Sequence, residues 1–215
     1  MSTLLLKLAG VLQSWGVESK FETRRTLGFP TKSGVIGLLA SALGYSREEP
    51  LDRLNALRFG IRVEREGELL RDYHIARGKK DKDVYITERF YLADAAFLAG
   101  FESKDTAFIN ELADAVRTPA YPLYLGRRSC VPSMPLLLGI REMPLLETLQ
   151  NEPLQLSEHR NYNFRDSDNR LHIITDSEEP DPSSGFNDFP ISFSRKHRKF
   201  GFRSIKEYGY SDEMR

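Results

Sequence analysis

The order of strand-like and helix-like segments in the first half of the chain constrains its fold more than any other feature. Residues 3–9 and 59–65 show the alternation of side chains that predicts buried strands. Residues 31–44 are predicted to form a helix, because polar residues that can cap its start and a glycine that can end it flank an apolar segment. Residues 104–117 are predicted to form a second, amphipathic helix, which the following Thr118-Pro119 ends.

A predicted hairpin lies between the two helices. The strand at residues 59–65 turns at Gly67 and returns as residues 68–75. A charged loop follows, and residues 87–101 are again strand-like. The order strand, helix, two strands, helix is that of the ferredoxin-like split β-α-β fold, which RNA-recognition modules share. We therefore predict an α+β, ferredoxin-like fold, although many functions use this fold and the order alone identifies none of them.

Composition excludes several classes of protein. The chain has 31 Lys+Arg and 31 Asp+Glu, so it is not a globally basic nucleic-acid binder, although it can still be a locally basic one. Its 40% of hydrophobic residues is enough for a folded core. One cysteine and four histidines argue against a disulfide framework or a zinc site, so we expect no metal and no cofactor. Without a long apolar run or a secretory signal, we expect a cytoplasmic protein that does not contact membranes.

Charge is unevenly distributed along the second half of the chain. Residues 141–190 contain 11 acidic and 4 basic residues, whereas residues 195–206 contain six Lys/Arg and no acid. The zero net charge is therefore the sum of opposed patches. We expect the acidic segment to face solvent or a partner and basic segments to face RNA. A boundary between two units is predicted near residues 145–152.

One candidate binding segment surrounds the start of the first predicted helix. Residues 12–16 (LQSWG) are followed within twenty residues by two arginines, a lysine and a helix N-terminus, which suits a phosphate. The candidate RNA-binding residues here are Trp15, Arg24, Arg25, Lys32, Ser33 and Gly34. The alternative is a capped helix after a loop, with Trp15 in the core.

Three further basic segments are candidates for RNA binding. A charged loop, a pair of arginines beside tyrosines and a basic run near the C-terminus could each grip phosphates or stack on bases. Their candidate residues are Arg77, Lys79, Lys80, Lys82, Tyr124, Arg127, Arg128, Lys196 and Arg198. For the loop and the basic run, the alternative is a solvated surface. Cys130 is expected to be a buried small apolar residue.

Four segments of the chain, taken together, are specific enough to indicate a protein family. They are residues 8–16 (LAGVLQSWG), 29–39 (FPTKSGVIGLL), 91–97 (YLADAAF) and 124–130 (YLGRRSC). In sequence and order they resemble CasD, the family-five CRISPR-associated subunits of the type I-E Cascade complex, a surveillance complex of antiviral defence. The four segments extend over most of residues 4–140.

The resemblance implies both an architecture and a role. The architecture is a ferredoxin-like RAMP domain over residues 1–145, with a protruding β-hairpin thumb near residues 73–89, and a small β-rich element over residues 146–215. The role is that of a non-catalytic crRNA-binding subunit, which grips the 5′ handle and caps one end of the backbone filament. Its neighbours would be the filament subunit CasC and the large subunit CasA, and it would meet target DNA only indirectly, through the complex.

A metal-independent endoribonuclease is the alternative function. In the related type I-C branch the equivalent subunit cuts precursor crRNA with a tyrosine, a lysine and a histidine. Tyr45 follows the first helix as such a tyrosine would, but residues 89–117 contain no adjacent Lys-His pair. His74 and His197 are weak candidates for a general base, since nothing nearby in sequence orients them. A third possibility is a ferredoxin-like interaction protein with no RNA role.

Overall fold

Strands outnumber helices in the computed structural model, which describes residues 1–16, 23–77, 84–155, 171–179 and 181–209. The fold is a mixed α/β fold made mostly of sheet. The prediction that the chain combines helices with strands is therefore confirmed. In chain order the elements are β1 (Ser2–Ala9), β2 (Leu12–Gln13), β3 (Thr23–Arg24), α1 (Lys32–Ala42), α2 (Asp52–Asn55), β4 (Arg58–Arg65), β5 (Glu68–Arg77), β6 (Val84–Ala93), β7 (Ala96–Ser103), α3 (Thr106–Arg117), β8 (Leu137–Arg141), α4 (Leu145–Asn151), β9 (His172–Asp176), β10 (Gly185–Ser192) and β11 (Lys199–Tyr208).

Two sheets organise these elements. The larger is a seven-stranded antiparallel sheet in the order β10-β11-β9-β4-β7-β1-β8. The smaller is centred on β6, with β5 along one edge and the short β2 and β3 along the other. Strands β4, β7, β1 and β8 are therefore neighbours, although α1 and α3 each separate two of them in sequence.

Strand β1 shows how the large sheet is buried on both faces. Leu4, Leu6 and Leu8 belong to the main core, which also contains the apolar sides of α1 and α3. Leu5 lies on the opposite face, where it clusters with Leu145 and Leu149 of α4. Successive side chains of a strand point to opposite faces, so one run of leucines supplies both cores.

Side-chain caps explain where the two long helices begin. The Thr31 hydroxyl accepts a hydrogen bond from the Gly34 N–H at the start of α1, and the Asp105 carboxylate accepts one from Phe108 at the start of α3. Gly44 follows α1 with a φ of +80°, a left-handed conformation that favours glycine. Both helices thus lie close to the segments predicted from sequence.

Charged side chains of the sheet hold both ends of α4. At its first turn, the Glu102 carboxylate accepts a hydrogen bond from the Leu145 N–H. At its other end the buried Arg62, which also forms an ion pair with Glu64, donates to the carbonyl oxygens of Leu149, Glu152 and Pro153. An anion at the N-terminus and a cation at the C-terminus both complement the helix dipole. Helix α4 thus lies at the boundary predicted near residues 145–152, and it packs onto the large sheet.

The predicted strand over residues 87–101 is two strands. Strand β6 ends at Ala93 and β7 begins at Ala96, and between them Asp94 has a φ of +56°. The two strands then pair in different sheets, so the turn at Asp94 separates the small sheet from the large one.

The C-terminal strands continue the large sheet. Strand β9 pairs with β4, β11 with β9, and β10 with β11. The division of the chain at residue 145 stays a prediction.

The expectation that the acidic segment faces solvent or a partner is wrong for Asp188, which is buried. Among the described residues, none of the helices combines the length and the apolar character needed to span a bilayer.

Candidate nucleic-acid interface

Strand β6 brings two basic segments of the sequence together. Arg24 of β3 pairs in register with Arg89 of β6, so the two side chains share one face of the small sheet. Tyr91, two residues further along β6, lies on the same face. The Arg127 guanidinium lies over the Tyr91 ring, 4.7 Å from its centroid, and its Nη2 donates to the Arg24 carbonyl oxygen at 2.8 Å.

A tight loop after Leu125 positions Arg127. The Leu125 N–H donates to the Cys130 carbonyl, and the Cys130 N–H donates back to the Arg127 carbonyl, both at 2.8 Å. Gly126 has a φ of +82°, and a Cβ there would lie 1.8 Å from the Ser14 carbonyl oxygen. A glycine is therefore required where the loop crosses the chain beside β2.

Three arginines come together on this surface, which we call the arginine surface: Arg24, Arg89 and Arg127. Arg24, Arg25 and Arg128 are exposed, and Arg89 and Arg127 are half-buried. Within the described residues, Nε of Arg89 and Nη1 of Arg127 are buried and donate no hydrogen bond. Such donors suit an acceptor-rich ligand like a phosphate.

Trp15 lies in the core beneath this surface. Its side chain has no exposed area, and its Nε1 donates to Gln13 Oε1 at 3.0 Å. A Cβ on Gly34 would lie 2.8 Å from the indole, so this glycine lets α1 pack against Trp15. The alternative of a capped helix with Trp15 in the core therefore describes this segment, and neither residue presents a group to a ligand at the surface.

The N-terminus of α1 is occupied by the protein's own carboxylate. The Lys32 N–H donates to Asp188 Oδ2 at 2.8 Å, and Lys32 Nζ donates to Asp176 Oδ2 and to the Leu57 carbonyl. Arg203 pairs with both Asp176 and Asp188. Burial lowers the pKa of Arg203, but the hydrogen bonds and charges of the two aspartates outweigh it and hold that pKa above the usual value. Lys32 thus joins a buried ion network.

The remaining predicted residues lie in several places. Ser33 is partly exposed in the first turn of α1, and Tyr124 is partly exposed beside the Arg127 loop. Lys196 and Arg198 are exposed between β10 and β11, and no hydrogen bond or ion pair joins them to the arginine surface in the described parts of the chain. Arg77 ends β5. Lys79, Lys80 and Lys82 lie outside the described residues.

Comparison with known proteins identifies the family. The family described as "CRISPR-associated protein (Cas_Cas5)" matches residues 3–206 of this chain. The chain belongs to this Cas5 family. The curated protein "CRISPR system Cascade subunit CasD" of Escherichia coli (strain K12) is a Cas5 relative with 39% identity over 161 residues, which cover 64% of this chain and 70% of CasD.

Two solved structures resemble this Cas5 chain over nearly its whole length. A chain of a "CRISPR RNA-guided surveillance complex" matches with a TM-score of 0.81 at 33% identity, over 96% of this chain and 89% of that one. A "Crystal structure of Cas protein" matches with a TM-score of 0.74 at 38% identity, over 98% and 96%. The identity to CasD and the structural match agree with the resemblance seen in the sequence motifs.

Sequence reasoning missed two members of this candidate site. Arg89 and Tyr91 lie two residues apart on β6, and this spacing on a predicted strand was the only signal in the sequence. Their importance comes from pairing with β3 and from the Arg127 contact, both long-range.

The residues considered for catalysis are dispersed in this Cas5 chain. Tyr45 is partly buried and packs against the main core, whereas His197 is exposed between β10 and β11. His74 Nε2 lies 2.7 Å from Asp72 Oδ2 on β5. Among the described residues there is no group of three or more His, Cys, Asp or Glu side chains that could hold a metal ion.

The Cys130 thiol provides a test of the Arg127 loop. Burial raises the pKa of Cys130, against smaller opposing effects of Ser129 and Arg127. Because the thiolate is the reactive form, we expect the native thiol to be alkylated at pH 8 about 100-fold more slowly than in denaturant. The rate should rise as the pH increases toward the raised pKa. Equal rates in native and denatured protein would show that the loop opens freely.

Proposed function

We propose that this protein is the crRNA-binding subunit of a type I-E Cascade surveillance complex, and that it grips the 5′ handle of the crRNA without cutting it. The arginine surface is the observation that carries the proposal. The guanidinium groups of Arg24, Arg89 and Arg127 lie on and beside one sheet face, within a chain whose net charge is zero. Concentrated positive charge on a neutral protein is typical of a dedicated anion-binding surface.

The geometry of the arginine surface suits a short single strand. Guanidinium groups bind phosphates through paired donors, and Arg89 and Arg127 each keep a buried nitrogen without an acceptor among the described residues. Arg127 is held in place by Tyr91 and by the Arg24 carbonyl, so little side-chain entropy is lost when it binds a phosphate. Splayed bases could stack on exposed planar groups beside it.

The fold supports the same assignment. We take strands β4, β7, β1 and β8, with α1 and α3, as the ferredoxin-like RAMP core, since their order is that of a split β-α-β fold. The hairpin of β5 and β6 contains residues 73–89 and is proposed as the thumb. Residues 146–215 would form the small C-terminal element.

The proposed neighbours are CasC along the filament and the large subunit CasA, with target DNA reached only through the assembled complex. The support comes from relatives: one is named a Cascade subunit, and one similar chain belongs to a structure described as an RNA-guided surveillance complex. An end position in a filament agrees with a chain that uses one charged surface for RNA and other surfaces for protein contacts.

We propose that the subunit does not cut RNA. Cleavage by 2′-hydroxyl attack needs a positioned base together with stabilisation of the developing charge. Tyr45 packs against the core, and His197 is exposed in a different part of the fold. No hydrogen bond joins these two residues in the described parts of the chain.

Binding of purified protein to single-stranded repeat RNA in EDTA tests the function. We expect binding without cleavage, because the surface supplies cations but no oriented base. If about four phosphates are contacted, the affinity should fall by about 50-fold between 50 and 200 mM salt. A scrambled RNA of equal length is the control for sequence preference. Specific cleavage would support the endoribonuclease instead, and failure to bind RNA, alone and in the assembled complex, would support an interaction protein.

A further inference from the structure

A buried segment of three residues is bonded to each part of the chain that carries a guanidinium group of the arginine surface. The segment is Gln13-Ser14-Trp15, and none of its residues is more than 2% exposed. We call it the strut. Because the strut is buried, its side chains do not touch a ligand at the surface. Its hydrogen bonds nevertheless extend to the neighbours of all three arginines.

The strut is bonded to the chain next to Arg24. The Trp15 N–H donates to Thr26 Oγ1 at 2.8 Å, and the Leu27 N–H donates to the Trp15 carbonyl oxygen at 2.8 Å. Trp15 and Leu27 thus form an antiparallel bridge three residues after Arg24. These bonds fix the distance between the strut and the strand that carries Arg24.

The strut is also bonded to the segments that carry Arg89 and Arg127. The Ser14 hydroxyl donates to the carbonyl oxygen of Phe90, the residue after Arg89, at 3.1 Å. The Ser14 N–H donates to the carbonyl oxygen of Leu125, two residues before Arg127, at 3.1 Å. Each of the three arginines therefore lies within three residues of a hydrogen bond to the strut.

Hydrogen bonds of the Gln13 amide hold the Trp15 indole in place. Trp15 Nε1 donates to Gln13 Oε1 at 3.0 Å, and Gln13 Nε2 donates to the carbonyl oxygens of Leu8 and Ala95 at 3.0 and 2.8 Å. Both donors and the acceptor of the amide are thus used, so its orientation is determined.

The indole also lies against both α1 and the Arg127 loop. A Cβ on Gly34 would lie 2.8 Å from Trp15 Cε3, and a Cβ on Gly126 would lie 3.6 Å from the same atom. Protein interiors are close-packed, so a smaller ring would leave a gap beside one of these elements. The full size of the indole is therefore what keeps the strut in contact with both.

We infer that Trp15 is a positioning residue of the arginine surface: through the strut it holds Arg24, Arg89 and Arg127 at one fixed spacing, without contacting RNA. The inference rests on the proposed function, because it assumes that these arginines bind the phosphates of a single strand. Donors that are already arranged lose little entropy on binding, so a looser spacing lowers the affinity although every charge remains.

The variant Trp15→Phe in the full chain tests the inference. It removes the indole N–H and part of the ring, and it keeps every charged side chain. We expect its affinity for single-stranded repeat RNA to fall by about tenfold. Its affinity for polyphosphate should change by less than about twofold, because directly linked phosphates can match cations in many arrangements. Fluorescence anisotropy of the labelled ligands measures both affinities. A purely structural role would lower both together, through the folded fraction.

Phe101→Leu is the matched control for the loss of a buried aromatic ring. Phe101 has no exposed area and lies on β7, where its ring packs against Phe59 at 5.0 Å between centroids. The change should lower the melting temperature about as much as Trp15→Phe does. At a temperature where both variants are folded, its RNA affinity should stay within about twofold of that of the unsubstituted chain.

Ser14→Ala is a milder variant that keeps Trp15. It removes the hydrogen bond from the strut to Phe90, next to Arg89, and Ser14 is too deeply buried to contact RNA. We expect the affinity for the repeat RNA to fall by about threefold, with the affinity for polyphosphate unchanged. If Trp15→Phe does not fold, the comparison of the two ligands with Ser14→Ala decides the question.

Tryptophan fluorescence distinguishes positioning from stacking in the unsubstituted chain. Trp15 is the single tryptophan of the sequence, so emission reports on the strut alone. We expect saturating RNA to leave this emission unquenched, because the indole is buried beneath the surface. Loss of most of the emission would show that bases stack on the indole, and it would overturn the inference.

The outcomes separate this inference from the proposed function. If the unsubstituted chain binds RNA and both Trp15→Phe and Ser14→Ala bind it equally well, only the positioning inference is wrong. If Trp15→Phe loses affinity for polyphosphate as strongly as for RNA, or if Phe101→Leu loses as much RNA affinity, Trp15 supports only the fold and the inference is also wrong. If the unsubstituted chain binds no RNA, alone or in the assembled complex, the proposed function fails and the inference fails with it.

Discussion

Replacement of Arg62 by alanine is expected to destabilise the fold by about 3–5 kcal/mol, because the change leaves a buried charge without its partner. Glu64 is buried and forms an ion pair with Arg62. The same guanidinium binds three carbonyl oxygens at the end of α4, which would lose their donor. For a chain of this length the melting temperature should fall by roughly 6–20 °C, which calorimetry or circular dichroism would measure.

A surface arginine provides the matched control. Arg53 forms an ion pair with Glu111, but both side chains are about half exposed. Arg53→Ala should therefore leave the melting temperature almost unchanged. Arg62→Met restores most of the lost volume but not the charge, so it should remain strongly destabilising if the buried ion pair dominates. Equal melting temperatures for Arg62→Ala and Arg53→Ala would contradict the role assigned to Arg62.

The parts of the fold that sequence predicts are those governed by local pattern. Strand β1 and helix α3 follow from side-chain periodicity, and α1 follows from its cap and the glycine that ends it. In each case the residues that determine the element lie within or next to it. The Arg127 loop is similar, because Gly126 and the arginines after it are adjacent in sequence.

What sequence could not predict depends on contacts between distant residues. The start of α1 looks like a phosphate site, but Asp188, 156 residues away, occupies it. Trp15 was a candidate RNA-binding residue, and only its contact with the distant Gly34 shows that it lies in the core. Arg89 has no local motif, and only the pairing of β6 with β3 brings it to the candidate site. A linear sequence gives no information on which carboxylate or strand will meet which partner.

Combined replacement of Arg89 and Arg127 by alanine is expected to lower the affinity for single-stranded repeat RNA by about 100-fold or more. Each guanidinium bound to a phosphate contributes about 1.5–3 kcal/mol, and both residues hold a buried donor without an acceptor among the described residues. The slope of log affinity against log salt should decrease by about 1.4, since two phosphate contacts are lost. Fluorescence anisotropy over a salt series measures both quantities.

Two control variants separate charge, geometry and stability in this prediction. Arg89→Lys with Arg127→Lys keeps both charges, so it should preserve the salt slope while losing part of the affinity that depends on paired donors. Lys196→Ala with Arg198→Ala removes two cations between β10 and β11, and should bind RNA more strongly than the Arg89/Arg127 alanine variant. Arg127 also stacks on Tyr91, so a modest fall in melting temperature is expected for the alanine variant. If the Lys196/Arg198 variant loses more affinity than the Arg89/Arg127 variant, RNA binds mainly to the β10–β11 loop and the proposed interface is wrong.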